Sequence, residues 1–223
     1  MWIKDSNNNN TSTSNNEQKK GGFFKNSNNK PKANRRKKIR LFPNKEQKQK
    51  LDQCFGTVRW IYNELLDKFR SKLHNKQIHR FEKMKLMRDW CTTKKSKLIT
   101  QDPIKYGWIL DTPLPIRDAA VLDLLQAFES NQAKQKKQEE RGEKVMKFTV
   151  KYKIKKRDSQ TIYINKQQFI NGVFYSKFFG QTKFKCREKN KEKKSTLPNE
   201  LDYSAKLTRN NLGHYYLYIS GSF

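Results

Sequence analysis

Residues 39–73, IRLFPNKEQKQKLDQCFGTVRWIYNELLDKFRSKL, join a short strand-like run to a long helix, and their reading decides the fold class. Ile39 to Phe42 form the strand-like stretch, and Pro43, which has no N–H to donate, ends it. Asn44 is a good helix N-cap and Gln47 stands three residues later at the capping-box position. Leu51, Cys54/Phe55, Val58, Ile61/Tyr62, Leu65, Phe69 and Leu73 then recur every three to four residues, the spacing of one helical face. Gly56 inside that helix costs on the order of 1 kcal/mol relative to Ala, so the reading predicts another helix crossing closely there.

Working towards the carboxyl terminus, a second helix is predicted from about Phe81 to Cys91, with Met84, Met87 and Trp90/Cys91 inward. A loop holding Asp102-Pro103, Trp108 and Pro113 follows, and a third helix runs from about Pro115 to Arg141 with Ile116, Ala119/Ala120, Leu124 and Ala127/Phe128 inward. After Gly142 the period changes from 3.6 to 2. Phe148, Val150, Tyr152 and Ile154 alternate with Thr149, Lys151 and Lys153, which predicts a half-buried strand with a basic outer face. Further strands are predicted at Thr161 to Ile164, at Phe169 to Ile170 and Val173 to Tyr175 on either side of Asn171-Gly172, at Thr182 to Cys186, and at Tyr203 to Leu207 and His214 to Ser220. Short antiparallel strands with Gly-containing turns suggest a small barrel or sandwich. The expected class is therefore α+β, a small antiparallel β-barrel split by an inserted helical domain.

Working towards the amino terminus, residues 1–34 contain ten Asn and few apolar residues, and disorder is expected there. The chain has no apolar run of the roughly 20 residues a membrane-spanning helix needs, nor a secretory signal, so a soluble, intracellular protein with no membrane partner is expected. Cys54, Cys91 and Cys186 are odd in number and widely spaced, and read as small buried hydrophobes. With 50 Lys+Arg against 21 Asp+Glu, a formal net charge of +29, the composition calls for a polyanionic partner. Neutralising phosphates and releasing their counterions rewards such an excess, so nucleic acid leads.

The charge is uneven. Residues 141–195 carry a local net of +13, against +8 over the longer stretch 39–140, so the β region is the better candidate for a nucleic-acid face. Lys151, Lys153, Lys155, Lys156 and Arg157 are expected to project together from the strand at 148–154 or just beyond its end. Aromatics interleaved there, among them Tyr152, Tyr163 and Phe178, offer stacking platforms, although most are expected in the core. Arg35, Arg36, Lys37, Lys38 and Arg40 put five basic residues into positions 34–40, as a nuclear-import signal, a phosphate-contacting arm or a solvated charge run would. Import would place the protein in a nucleus if the host is eukaryotic. Arg59 and Asn63, three and seven residues after Gly56, either contact nucleic acid or satisfy partners such as Asp118.

Four separated stretches resemble the TnpB/OrfB family and its Fanzor relatives, transposon-encoded, RNA-guided DNA endonucleases related to type V CRISPR effectors. They are Lys38-Ile39-Arg40-Leu41-Phe42-Pro43 with Phe55-Gly56-x-x-Arg59-x-x-Tyr62-Asn63-x-x-Leu66; Pro113-x-x-Ile116-Arg117-Asp118-Ala119-Ala120 with Asp123 and Ala127-Phe128; Phe148 to Ile162; and Tyr203-x-x-Lys206-Leu207-Thr208 with Gly213-x-Tyr215-Tyr216-Leu217. The resemblance implies a basic arm and first strand over 35–43, a helical recognition-like domain over 44–141 and a wedge-like β domain over 142–223. Guide RNA and target DNA would be the partners. The family's RuvC-like nuclease domain follows the last strand pair, and this sequence ends at Phe223. A catalytically incomplete part is therefore expected, with no cofactor of its own, since Mg and Zn would belong to the nuclease domain. Asp102, Asp111, Asp118 and Asp123 read as structural carboxylates, and His74, His79 and His214 lack partners at metal-ligand spacing. The alternatives are a transposase-associated helix-turn-helix factor reading duplex DNA through Arg80, Lys83, Lys85 and Arg88, or a non-specific basic RNA-binding protein.

Overall fold

The Asn44 side chain accepts the Gln47 N–H at 2.8 Å while Gln47 Oε1 accepts the Asn44 N–H at 3.1 Å, closing a capping box at the start of helix α1, Lys45–His74. The structure, a computed structural model, describes residues 35–156, 159–188 and 196–221; the expected disordered leader and Arg157 lie outside them. Leu51, Cys54, Phe55, Ile61, Leu65, Leu66 and Leu73 of α1 are buried, a wide stripe because a sheet and a second long helix both pack on it. Gly56 does not mark a close crossing. A Cβ built there meets nothing within 4 Å, so its cost is the ordinary helical cost of glycine, with no packing reason behind it.

Helix α2 is Arg80–Cys91, close to expectation, with Met87 and Cys91 buried. The expected loop after it contains helical turns, α3 at Lys97–Gln101, α4 at Pro103–Tyr106 and a 3-10 turn at Gly107–Asp111. Asp102 starts α4 by accepting the Lys105 N–H at 3.0 Å, with Pro103 next in line. Single turns repeat no apolar position, so periodicity cannot show them. Helix α5, Leu114–Glu140, buries Ile116, Ala120, Val121, Leu124, Leu125 and Phe128 and packs along α1.

Strand β1, Arg35–Phe42, precedes the helices, yet it pairs with strands from the far end of the chain. These are β2 at Ser159–Ile164, β3 at Phe169–Ile170, β4 at Val173–Phe174, β5 at Lys185–Glu188, β6 at Ala205–Asn210 and β7 at Tyr215–Gly221. One antiparallel sheet has the order β2-β6-β7-β1-β5, and β3 and β4 form a separate hairpin. Asn171 and Gly172 take φ 51° and 76° in the hairpin turn, as the Asn-Gly signal requires. Between this hairpin and β5 lies one helical turn, α6 at Ser176–Phe179, and Phe174 packs on Phe184 at 4.6 Å and on Phe179 at 5.2 Å. The α+β class holds, but the sheet is not a closed barrel: β2 and β5 are its edges.

The strand expected at 148–154 is absent. Residues 143–154 instead run as an extended strap along α1 and α5. Asn63 Nδ2 donates to the Lys153 carbonyl at 2.9 Å and Asn63 Oδ1 accepts the Lys153 N–H at 2.8 Å, so one helical side chain takes the place of a neighbouring strand. Arg70 reaches the Val150 carbonyl at 3.4 Å and the Tyr152 hydroxyl donates to Asp67 at 2.9 Å. Val150 is buried, whereas Tyr152 and Ile154 are exposed, so the alternating pattern spends much of its apolar surface on solvent. The buried side chains of α1, α2, α5 and the sheet form one continuous hydrophobic core.

Candidate nucleic-acid interface

Strand alternation gives the sheet an apolar and a polar face. Ile39, Leu41, Ile162, Ile164, Leu207, Leu217 and Ile219 are buried on the first, and α1 covers it, with Phe55 against Tyr215 at 6.5 Å and Arg209 paired with Asp52. On the other face, register places Tyr163 opposite Lys206, Lys206 opposite Tyr218, and Tyr218 opposite Lys38. A second row runs Thr161, Thr208, Tyr216, Arg40, Arg187. Arg36 and Ser220 pair at one end, and Phe42 and Lys185 at the other. Six cations thus share a face with four aromatic rings, and the paired strand positions of that face hold no acidic residue.

The cations lean on the rings. Lys38 Nζ stands 4.2 Å from the Tyr216 ring centroid and 5.7 Å from that of Tyr218, and the Arg40 guanidinium stands 5.0 Å from the Phe42 ring. Phe42 and Tyr163 are exposed and Tyr216 and Tyr218 half-buried, so flat surface and positive charge are presented together. The Tyr163 phenol is pushed above its usual pKa, first by burial and then by the nearby Asp123 carboxylate, so it stays neutral and able to donate.

The structure divides the residues singled out from the sequence. Arg36, Lys38 and Arg40 lie on this face, while Arg35 and Lys37 fall at the alternate positions of β1. Lys153 is half-buried, paired with Asp123 and set over the Tyr62 ring at 4.2 Å, so its charge is used inside the fold. Asn63 is committed to the strap. Arg59 has one marginal contact, Nη1 to Gln160 Oε1 at 3.5 Å. Lys151 is exposed on the strap, and Lys155 and Lys156 are exposed beside Lys48 and Asn211 at another rim. Sequence reasoning missed Lys185, Arg187, Lys206, Tyr216 and Tyr218. The alternation of Tyr216 and Tyr218 with buried Tyr215, Leu217 and Ile219 was readable locally; that β1 would lie beside them was not.

The cations of α2 are mostly engaged. Arg80 meets Glu129 at 2.6 Å, Arg88 meets Asp118 at 3.1 Å, and Lys83 Nζ donates to the Leu73 carbonyl at 3.2 Å, which leaves Lys85 exposed. Arg117 is buried, donates to the Thr92 carbonyl at 2.6 Å, and has its pKa pushed down by burial. Cys54, Cys91 and Cys186 are buried and form no disulfide with one another, and burial pushes the Cys54 and Cys91 thiols up to about 12. Among the described residues no group of three His, Cys, Asp or Glu is placed to hold a metal ion, and no helix is long and apolar enough to cross a membrane.

No curated protein matches the chain. A family model does: residues 33–77 match a helix-turn-helix domain, HTH_OrfB_IS605. The described part of that stretch is β1 followed by the uninterrupted α1, with the turn to α2 at its end. At this coarse level the match supports the likeness to OrfB-type transposases and a DNA-binding, transposon-associated function.

Proposed function

We propose that the chain is a nucleic-acid-binding part of a TnpB/Fanzor-like, RNA-guided system, holding guide RNA on the polar face of its sheet. The observation that carries this reading is the row of cations across β5, β1 and β6, interleaved with Phe42, Tyr163, Tyr216 and Tyr218. Lys and Arg neutralise phosphates, and tyrosine rings take unstacked bases, which RNA offers in loops and single strands. In this reading residues 35–43 and 142–223 act as the wedge, and residues 44–141 as recognition helices towards target DNA. No metal-dependent step is assigned to these residues, because Asp118 and Asp123 are held by Arg88 and Lys153.

Gel shifts with structured RNA, single-stranded DNA and duplex DNA at two salt concentrations test it. Reversing Lys38, Arg40 and Arg187 to Glu is expected to weaken RNA binding and lower the salt slope by about 0.7–0.9 for each phosphate that is no longer neutralised. Reversing Lys134, Lys136 and Lys137, exposed on the last turns of α5, is expected to do much less. Equal effects would mean diffuse polycation attraction and would rule out the sheet face as the binding surface. The second reading, duplex recognition by the α1–α2 pair, is favoured by the helix-turn-helix match. It predicts tightest binding to duplex DNA and a weakening on Lys85→Glu that the sheet variants do not reproduce.

A further inference from the structure

A cavity of about 340 Å³ opens where α1, α5, the strap and the β2 edge meet, within the roughly 300–1,000 Å³ of small-ligand sites. Phe55 and Val58 of α1, both almost wholly buried, lie at its floor, and exposed Ile154 of the strap gives it an apolar wall. Arg59, Lys153 and Lys206 line it with one carboxylate, Asp123. Lys153 is already that carboxylate's partner. The surplus charge rests on Arg59, with its single contact at 3.5 Å, and on Lys206, which has no ion pair among the described residues.

The cavity adjoins the polar face. Tyr163 and Lys206 are cross-strand partners on that face, and both also line the cavity. A strand laid over Tyr216 and Tyr218 towards β2 therefore reaches the cavity mouth. One exposed apolar wall beside two uncompensated cations fits an amphipathic anion with one flat apolar part. On a nucleic-acid face, that group is a nucleotide.

We infer that this cavity takes one unpaired nucleotide, turned out of the strand held on the polar face, with its base against Ile154 and its phosphate between Arg59 and Lys206. Gln160, whose amide donates to the Lys155 carbonyl at 2.6 Å, and Tyr163 complete the lining. A paired base cannot enter without leaving its stack, so the site selects single-stranded or looped segments. The inference rests on the proposed role of the polar face.

The test uses the full chain and a single-stranded oligouridine RNA carrying one 2-aminopurine. On the wild type, the probe's fluorescence is expected to rise as the base leaves its stacked neighbours and enters the cavity. Thr161→Phe, which places a ring in the cavity, should abolish that rise, and Arg59→Ala should weaken binding about tenfold, the worth of one good base or phosphate contact. Circular dichroism checks the fold of both; if Thr161→Phe does not fold, Arg59→Ala still decides. RNA binding that depends on Lys38 and Arg40, with the fluorescence signal unchanged in the folded cavity variants, would overturn the cavity and leave the face standing. A wild type that binds no RNA would overturn both.

Discussion

Asn63 shows how one residue can replace a strand. Its amide makes both hydrogen bonds that a neighbouring backbone would have made to Lys153. Asn63→Ala leaves that N–H and carbonyl without their partners at a half-buried site, which costs about 1–3 kcal/mol; a fall of that size in urea-unfolding stability is expected, with RNA binding retained by the folded fraction. Arg59, one turn earlier, rests on one contact at the limit of hydrogen bonding, so Arg59→Ala should change stability by less than about 0.5 kcal/mol. The reverse ranking would show that the strap does not depend on Asn63. Gly56 makes a complementary case. With open space where its Cβ would stand, Gly56→Ala should stabilise α1 by roughly 0.5–1 kcal/mol, and a loss of stability on thermal unfolding would reveal a contact at that turn after all.

At the scale of elements, the strap separates charges that look alike in sequence. Lys151 and Lys153 share a period-2 pattern, but Lys151 is exposed whereas Lys153 is held between Asp123 and Tyr62. Lys153→Glu sets two carboxylates together and should cost roughly 1–2 kcal/mol, reduced by partial solvent screening, while Lys151→Glu should leave unfolding nearly unchanged; equal unfolding midpoints would place Lys153 in solvent. This contrast also marks what the sequence could reveal. α1 was legible because its cap, its capping box and thirty residues of period-3.6 pattern are local, and the β3–β4 turn because Asn-Gly fixes its backbone locally. The strap was not, because alternation reports where side chains point and says nothing of what receives the backbone hydrogen bonds. The polar face was half legible: Arg36, Lys38 and Arg40 were identified, but their neighbours on β5, β6 and β7 came from pairings between residues far apart in the chain.

At the scale of the whole molecule, helices and sheet are closed over one core, and the titratable groups caught in it give a pH signature. Burial raises the Cys54 and Cys91 thiols from near 9 and the Tyr175 hydroxyl from near 10, each to about 12; Tyr163 and Tyr215 move the same way. These acids are favoured neutral in the fold and ionise more readily once unfolded. Their stabilisation is therefore fully present below about pH 9, and it is lost as the pH rises from there towards 12. An opposing effect runs in the same window. Loss of charge from the lysines relieves the self-repulsion of a chain with a formal net charge of +29, which favours the compact state. Lysines titrate near 10.4 in model peptides, so between pH 9 and 10 the thiols act first. Tm is expected to stay level from pH 7 to about 8.5 and to fall between 9 and 10, with folded Cys54 and Cys91 resisting alkylation throughout the level region. A Cys54→Ala/Cys91→Ala chain should start from a lower Tm because of its cavities, yet show a shallower fall. A Tm that rises from pH 9 to 10 in both proteins would mean that relief of charge repulsion outweighs the ionisation of the buried thiols.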